Sequence, residues 1–220
     1  MRALVVGDTG GIGAALSIAL GERGYAVTGV SRRSDGLDLT DENSVTRVMG
    51  GLEGAFDRIF VATGALELAG VGPEKSLRGL EADQMMQQFA LNAMGPALVL
   101  KHCVRVMSRT ADCRFAVLSA RVGSIGDNAL GGWYSYRAAK AALNQLIHTG
   151  AIELARSHPQ SVVVALHPGH VATPLSLKYG GNLPAVGTET SAKNLMTVLD
   201  SLTPAQTGGF FDWEGKVIQW

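Results

Sequence analysis

Short apolar runs alternate with helix-type patterns along the chain, and this alternation limits the available folds more than any other feature. Apolar and β-branched residues are concentrated at residues 3–6, 26–31, 58–62, 114–119, 162–167 and 209–212. Helical patterns cover residues 12–24, 41–51, 81–108, 134–157 and 189–202. Strands that alternate with helices favour right-handed βαβ units and a parallel sheet covered on both faces. The sequence therefore predicts an α/β fold, a single doubly wound Rossmann-type domain over residues 1–220 with a central parallel sheet flanked by helices.

The composition argues against several classes of protein. The 220 residues carry a net charge of zero, which gives no electrostatic reason to expect a nucleic acid or an anionic membrane as partner. The apolar runs are too short to span a bilayer, and the apolar start at residues 3–6 is too short for a signal peptide. Cys103 and Cys113 form neither a metal spacing nor a disulfide framework, which fits a reducing compartment. We expect a cytoplasmic protein without a metal site.

A glycine-rich turn follows the first predicted strand and opens the first helix. Residues 7–13 read Gly-Asp-Thr-Gly-Gly-Ile-Gly. Glycines at positions 7, 11 and 13 permit a tight turn and a close approach of the backbone to a pyrophosphate at the helix N-terminus. The GxxxGxG spacing differs from the GxGxxG fingerprint, and an ordinary β–α turn is the alternative interpretation. The position of the turn between strand and helix favours dinucleotide binding.

The end of the second predicted strand indicates which dinucleotide is bound. Ser31, Arg32 and Arg33 stand where an NAD site usually has Asp or Glu for the ribose 2′-hydroxyl. A hydroxyl and two guanidiniums suit a 2′-phosphate, whereas a solvated basic turn is the alternative. The missing carboxylate favours NADP over NAD. Asp38 either contacts the adenine or caps the helix that follows it.

Tyr136 and Lys140 form the most informative pair of side chains. At a spacing of four residues in a helix they lie on one face, with Cβ atoms about 5–6 Å apart. An ammonium beside a phenol favours the phenolate, so the pair predicts a lowered pKa for Tyr136 and proton donation to a carbonyl oxygen near neutral pH. Tyr134 lacks such a partner because Ala138 stands four residues after it. With the glycine turn, the pair predicts hydride transfer to a carbonyl carbon and proton transfer to its oxygen.

Together these motifs resemble the short-chain dehydrogenase/reductase family over essentially the whole chain. The likeness is strongest to short members of the C-factor and Sniffer carbonyl-reductase type. It is carried by residues 121–128, 131–137 and 208–213, which read Arg-Val-Gly-Ser-Ile-Gly-Asp-Asn, Gly-Gly-Trp-Tyr-Ser-Tyr-Arg and Gly-Gly-Phe-Phe-Asp-Trp. The resemblance implies an NADP(H)-dependent oxidoreductase of a small carbonyl or alcohol substrate, with NAD as the alternative cofactor. It also implies a homo-oligomer, dimer or tetramer, paired through the helices at residues 86–108 and 134–156.

The resemblance also implies a role for each matching residue. Tyr136 would be the general acid, Lys140 would bind the nicotinamide ribose, and Asn92 would hold a water in the proton relay. Asn92 is equally well interpreted as a helix-kinking residue before Pro96. The turn at residues 168–173 would contact the nicotinamide amide or is a simple turn. The implied cofactor-binding set is Gly7, Thr9, Gly11, Ile12, Gly13, Ser31, Arg32, Arg33, Asp38, Leu39, Ala62, Thr63, Gly64, Tyr136, Lys140, Pro168, Gly169, Val171 and Thr173.

Two positions depart from the family pattern. The family's Asn-Asn-Ala-Gly segment is Val-Ala-Thr-Gly at residues 61–64, which keeps the glycine but loses the asparagine hydrogen bonds. Ala120 stands where the family usually has its catalytic serine, and loss of one such donor costs roughly 10²–10³ in rate. Three accounts are open: Ser119 reaches the site through a shifted strand end, Ser124 serves from the loop, or the tyrosine–lysine pair works alone and slowly. Strand alternation argues against Ser119.

Ala120 also supports an alternative function, a dinucleotide-binding protein with little catalysis that acts in signalling or as a redox-state sensor. The substrate pocket is expected at residues 65–72, 124–133 and 175–186. Leu130, Trp133 and Tyr134 predict an apolar wall and hence an aromatic or aliphatic carbonyl substrate. The Gly- and Pro-rich segment 174–187 is expected to be a loop that covers the substrate as a lid.

Overall fold

The computed structural model describes residues 1–179 and 184–220. Six parallel strands form one sheet in the order β2-β1-β3-β4-β5-β6. The strands are β1 (Arg2–Val6), β2 (Ala26–Val30), β3 (Arg58–Val61), β4 (Cys113–Leu118), β5 (Ser161–His167) and β6 (Phe210–Asp212). The α-helices are α1 (Gly11–Glu22), α2 (Arg32–Asp35), α3 (Glu42–Gly50), α4 (Ala82–Phe89), α5 (Gly95–Cys103), α6 (Tyr134–Ser157), α7 (Pro174–Tyr179) and α8 (Thr188–Ser201). The chain winds outward from β1 to β2 and then, in the other direction, from β3 to β6, which confirms the predicted doubly wound α/β fold.

Side chains of successive strand residues alternate between two apolar cores, one on each face of the sheet. Leu4 and Val6 of β1 belong to a core shared with α3, α5 and α6. Ala3 and Val5 belong to a second core shared with α1 and α8. Because both faces of the central strands are covered, a shift of one residue in register would bury the wrong set of side chains. The two cores therefore fix the register of the strands. Because all six strands are parallel, their carboxyl ends lie at one edge of the sheet.

The helix predicted at residues 81–108 is confirmed over residues 82–106, but it is not α-helical throughout. A π-helical turn at Ala90–Met94 joins α4 to α5, and a 3₁₀ turn at Val104–Val106 follows α5. A Cβ at Gly95 would lie 2.7 Å from Leu39 Cβ, so α5 begins where the chain passes very close to the loop before α3. Asn92 lies within this π turn and is buried.

The loop predicted at residues 174–187 is also partly wrong, because Pro174–Tyr179 forms the helix α7. Val186 pairs with Val171 in an isolated parallel bridge, which ties the end of this segment to the turn after β5. Residues 180–183 of the expected lid lie outside the described residues.

Candidate active site

The glycine turn after β1 is closed so tightly that side chains are excluded at two positions. Gly7 has a φ of +90°, and a Cβ there would lie 2.8 Å from the Ala62 carbonyl oxygen. A Cβ at Gly13 would lie 2.1 Å from the Gly7 carbonyl oxygen. The Gly7 N–H donates to the Val30 carbonyl at 2.7 Å and so ties the turn to β2. Thr9 is exposed at the tip. The turn thus presents backbone at the N-terminus of α1, where a phosphate group is favoured.

The turn after β5 lies over this glycine turn. A Cβ built on Gly11 would lie 3.5 Å from the Thr173 methyl group, so the space between the two segments at this point is about that of one methyl group. Gly169 has a φ of +80°, and a Cβ there would lie 2.6 Å from Cδ1 of Trp213. The residues of this turn that the sequence assigns to the cofactor are Pro168, Gly169, Val171 and Thr173. The structure therefore brings the pyrophosphate-type turn and the nicotinamide-type turn together.

The segment after β2 forms the short helix α2. Ser31 is its N-cap, is 3% exposed, and accepts a hydrogen bond from the Ser34 N–H at 3.3 Å. The Ser31 N–H donates to Asp35 at 2.8 Å. Arg32 and Arg33 are exposed, and neither is in an ion pair within residues 1–179 and 184–220. The Ser31 hydroxyl is thus engaged in the helix cap, whereas both guanidiniums remain available to an anion.

Asp38 turns out not to cap the helix that follows it. Its Oδ1 accepts from the Thr40 hydroxyl at 2.7 Å and the Thr40 N–H at 2.9 Å, and these bonds lower the pKa of Asp38. Asp41 caps α3 instead, through the Asn43 N–H at 2.9 Å. The capping alternative is wrong, and the adenine contact stays a prediction. Leu39 is buried in the core on the α5 side.

Gly64, after β3, lies between two of the predicted catalytic side chains. It has a φ of +130°, and a Cβ there would lie 2.7 Å from Asn92 Oδ1 and 3.3 Å from Lys140 Nζ. Asn92 Oδ1 accepts from the Ala65 N–H at 3.1 Å, and its Nδ2 donates to the Ala65 carbonyl at 2.9 Å and to Gln88 at 2.6 Å. Asn92 therefore holds the loop after β3 in addition to shaping the helix before Pro96.

Two polar atoms in the loops after β3 and β5 are buried without a hydrogen-bond partner in the described part of the chain. They are Thr63 Oγ1, beside the partly buried Ala62, and His170 Nε2. Buried polar atoms without partners are rare in folded proteins, and each requires an explanation. Their place at the carboxyl edge, next to glycines that exclude side chains, fits a polar dinucleotide that would supply the missing partners.

Tyr136 and Lys140 lie together on α6, as the spacing predicts. Lys140 Nζ is 5.8 Å from the centroid of the Tyr136 ring and donates to the Leu118 carbonyl at 2.9 Å. Burial lowers the pKa of Lys140 to about 8. Burial also raises the pKa of Tyr136 to about 12. The predicted lowering of the Tyr136 pKa is therefore wrong for the protein alone, because desolvation of the phenolate outweighs the influence of the lysine.

The two serines near Ala120 are buried, and their hydroxyl groups are hydrogen-bonded to other parts of the chain. The Ser119 hydroxyl is buried and donates to Asn144 Oδ1 at 2.6 Å. Asn144 stands eight residues after Tyr136 on α6, about 12 Å further along the helix axis. Ser124 is also buried, and its hydroxyl oxygen accepts from the Asp127 N–H at 3.0 Å. The geometry therefore disfavours Ser119 as a catalytic residue, in agreement with strand alternation.

Glu74 holds the start of α6, which sequence reasoning missed. Trp133, the residue before the helix, has a φ of +53° and caps nothing with its side chain. The buried Glu74 carboxylate accepts from the Ser135 hydroxyl and, at 3.2 Å, from the Ser135 N–H. The Trp133 N–H donates to the Glu74 carbonyl at 2.6 Å. Glu74 therefore fixes the first turn that carries Tyr136, and no local signal could have revealed a contact across 61 positions.

A pocket opens beside Tyr136, and its lining is more polar than predicted. It is lined by Leu68, Val71, Gly72, Pro73, Glu74, Gln84, Gln87, Gln88 and Tyr136. Leu130 and Tyr134, predicted to form an apolar wall, are 94% and 36% exposed. Of these three side chains, Trp133 lies in this region as expected. Its ring packs edge-to-face on the rings of Tyr136 and Tyr179, with centroid distances of 6.5 Å and 6.3 Å.

A hydrogen bond and an ion pair, both to Glu67, hold α7 against the loop after β3. Tyr179 donates from its hydroxyl to Glu67 at 2.6 Å, and Lys178 forms an ion pair with the same carboxylate. A Cβ at Gly72 would lie 2.7 Å from the Tyr179 hydroxyl. α7 therefore brings Tyr179 beside Gly72, which lines the pocket, and the role of this segment as a lid stays a prediction.

Within the residues that the structure describes, no group of three His, Cys, Asp or Glu side chains is placed to hold a metal ion. None of the described helices combines the length and apolar character needed to cross a membrane. Cys103 and Cys113 are both free and buried. Burial raises the pKa of the Cys103 thiol well above its usual range and that of Cys113 to about 12.

The fold agrees with what comparison with known proteins finds. The family described as enoyl-(acyl carrier protein) reductase matches residues 26–199. The chain therefore belongs to the short-chain dehydrogenase/reductase family of oxidoreductases, which confirms the resemblance drawn from its motifs.

Relatives in this family span the chain. The 1-hydroxy-2-glutathionyl-2-methyl-3-butene dehydrogenase of Rhodococcus sp. (strain AD45) is 30% identical and covers 99% of this chain and 98% of its own. The C-signal protein of Myxococcus xanthus is 33% identical over 66% of this chain and 84% of its own.

Solved structures give the same fold. A short-chain dehydrogenase/reductase of Burkholderia multivorans with bound NADP superposes with a TM-score of 0.84 at 26% identity, covering 100% of this chain and 99% of that one. The carbonyl reductase Sniffer of D. melanogaster superposes with a TM-score of 0.82 at 19% identity, covering 100% and 99%.

Proposed function

We propose that this protein is an NADP(H)-dependent oxidoreductase that reduces a carbonyl group or oxidises the corresponding alcohol. The observation that carries the proposal is the Tyr136–Lys140 pair, whose Lys140 Nζ lies beside Gly64 at the same sheet edge as the glycine turn. The glycine turn suits a pyrophosphate, and the tyrosine suits proton transfer. The Rhodococcus relative is named a 1-hydroxy-2-glutathionyl-2-methyl-3-butene dehydrogenase, and a dehydrogenase of a hydroxy compound agrees with this chemistry.

The residues of this chain divide the work between binding and proton transfer. When bound, the nicotinamide supplies the hydride in reduction or accepts it in oxidation. Lys140 and the backbone around Gly64 would hold its ribose, and the turn of Pro168 and Gly169 would hold its amide. Tyr136 would donate its phenolic proton to the substrate oxygen as the hydride reaches the carbon. Tyr136 carries this proton at neutral pH, because burial raises its pKa from an already high value to about 12.

NADP is the preferred cofactor in this proposal. The two exposed guanidiniums of Arg32 and Arg33 follow β2, and the carboxylate typical of NAD sites is missing at Ser31. The Burkholderia neighbour, at 26% identity, carries bound NADP. NAD is the alternative.

The test is the substitution Tyr136→Phe, with Tyr134→Phe as the matched control. NADPH oxidation against a panel of dicarbonyls, quinones and aldehydes should fall by at least 10²-fold in Y136F, the scale of general acid catalysis. NADPH affinity, measured by fluorescence titration, should stay unchanged in both variants. Full turnover in Y136F would exclude Tyr136 as the proton donor.

A second function is favoured by Ala120 and by the relative named C-signal. In that function the chain binds NADP(H) and acts in signalling or redox sensing, with little turnover. Tight NADPH binding by the wild type without turnover on any member of the panel would support this function over the first.

The assembly and location complete the proposal. The chain acts as one domain over residues 1–220 in the cytoplasm and pairs with itself through α4, α5 and α6. Met86 and Phe89 of α4 and Ile152 of α6 are exposed apolar side chains on these helices. Light scattering after size-exclusion chromatography should give a dimer or tetramer, and a monomer would contradict the pairing.

A further inference from the structure

Asp8, in the glycine turn, lies against the backbone of β2 at Gly29. A Cβ built on Gly29 would lie 2.2 Å from Asp8 Oδ2 and 2.7 Å from Asp8 Cγ. Any side chain at position 29 would therefore collide with the carboxylate. A glycine inside a strand is unfavourable unless a close approach requires it, and here the Asp8 side chain is what approaches.

One oxygen of the Asp8 carboxylate has no hydrogen-bond partner among the described residues. Oδ1 is buried and makes no hydrogen bond to any residue in the ranges 1–179 and 184–220. Arg32 and Arg33 follow β2 closely, yet neither pairs with Asp8 within those ranges. A buried carboxylate oxygen without donors is costly, so this position is suited to a ligand that brings donors.

The place of this carboxylate in the fold identifies the donors. Gly29 and position 31 lie on the same face of β2, since side chains alternate along an extended chain. In NAD sites of this fold a carboxylate at the end of the second strand accepts from the ribose hydroxyl of the adenosine. Here Ser31 occupies that position and its hydroxyl is engaged with Ser34. Asp8 therefore presents a carboxylate from the glycine turn on the strand face that normally carries one.

We propose that Asp8 determines cofactor specificity: its carboxylate accepts a hydrogen bond from an adenosine ribose hydroxyl and disfavours a 2′-phosphate, in opposition to Arg32 and Arg33. The proposal rests on the dinucleotide binding proposed above. It implies that this chain uses both NADH and NADPH. Its preference for NADPH over NADH would be smaller than two arginines alone would produce. Like charges repel at short range, whereas a hydroxyl donor to a carboxylate is a strong hydrogen bond.

The experiment measures dissociation constants of NADPH and NADH by fluorescence titration in wild type and Asp8→Asn. Glu22→Gln, an exposed carboxylate at the far end of α1, is the matched control for net charge. We expect D8N to bind NADH about tenfold more weakly, because the ribose hydroxyl loses a charged hydrogen-bond acceptor. We expect it to bind NADPH several-fold more tightly, because a charge that repels the 2′-phosphate is removed. E22Q should leave both constants within twofold of wild type.

A second variant keeps the inference testable if D8N does not fold. Gly29→Ala places a methyl group on the Asp8 carboxylate and should displace it, so G29A should shift the NADPH-to-NADH preference in the same direction. In the double variant Asp8→Ala, Gly29→Ala, the added methyl group should cause no further shift beyond D8A alone.

The outcomes separate this inference from the proposed function. Wild-type protein that binds neither nucleotide would overturn the cofactor assignment itself. Normal binding by the wild type, with D8N affecting NADH and NADPH equally or not at all, would overturn the role of Asp8 and leave the oxidoreductase proposal in place.

Discussion

Glu74 is the residue whose removal should most clearly disturb the helix that carries Tyr136. The substitution Glu74→Ala removes the acceptor of the Ser135 N–H and hydroxyl. Both positions are buried, with Glu74 7% and Ser135 3% exposed in the wild type. Hydrogen bonds to a charged group contribute about 1.5–3 kcal/mol each, and a carboxylate in the first turn of a helix adds about 0.3–1 kcal/mol. One of the two bonds is long, at 3.2 Å, so the lower half of this range applies to it. Removal of the buried carboxylate also removes its own desolvation cost, so the low end of the sum applies and we expect E74A to lower the free energy of unfolding by about 3–4 kcal/mol.

Urea unfolding followed by circular dichroism measures this free energy. In a chain of this length each kcal/mol corresponds to about 2–4 °C, so the melting temperature should fall by about 10 °C. Glu74→Gln keeps an acceptor oxygen of the same shape and should cost only about half as much as E74A. Glu81→Ala is the control, because Glu81 precedes α4 without a side-chain cap bond and is exposed. If E74A is within 1 kcal/mol of wild type, or no worse than E81A, the carboxylate does not support the helix and the reasoning fails.

The remaining predictions concern the catalytic pair and the missing serine. Ala120→Ser should raise turnover about tenfold or more, because it restores one donor to the substrate oxygen; unchanged turnover would show that this position does not face the reacting oxygen. Ser119→Ala should leave turnover within about twofold but cost about 1–3 kcal/mol of stability by leaving Asn144 without its donor; a loss of turnover at unchanged stability would instead make Ser119 catalytic. The folded pKa of Lys140, about 8, lies below its ordinary 10.5, so the unfolded chain binds more protons between these values and stability should rise by about 2 kcal/mol from pH 8 to 10. The same rise in Lys140→Met would contradict this assignment.

Local pattern was enough to predict most of the architecture. Five of the six apolar runs are strands whose residues are mostly buried on both faces of the sheet, and the run at the edge strand β2 is only partly buried. The glycines at positions 7 and 13 were predictable, since close backbone approach has few other causes at a strand–helix junction. The Tyr136–Lys140 pairing follows from helical geometry alone.

Two expectations failed and one was incomplete, because each depended on distant neighbours. The incomplete one is the helix at residues 82–106, whose π-helical turn at Ala90–Met94 carries the contacts of Asn92 with Ala65 and Gln88. The sign of the Tyr136 pKa shift depends on how deeply the phenol is desolvated, which spacing does not reveal. The polar lining of the pocket comes mainly from α4, and no local pattern in the chain predicts that this helix lies beside Tyr136.

The sequence by itself determined the order of strands and helices, the glycine turn and the tyrosine–lysine pair, because periodicity and spacing are local properties of the chain. Only the tertiary structure decided which polar groups meet. It placed Glu74 under the start of α6, Ser119 against Asn144, and the Asp8 carboxylate on Gly29. These contacts join residues from separate strands and loops, and their strength depends on burial. Distance and desolvation are set when the two cores close around the sheet, so no local pattern could have predicted them.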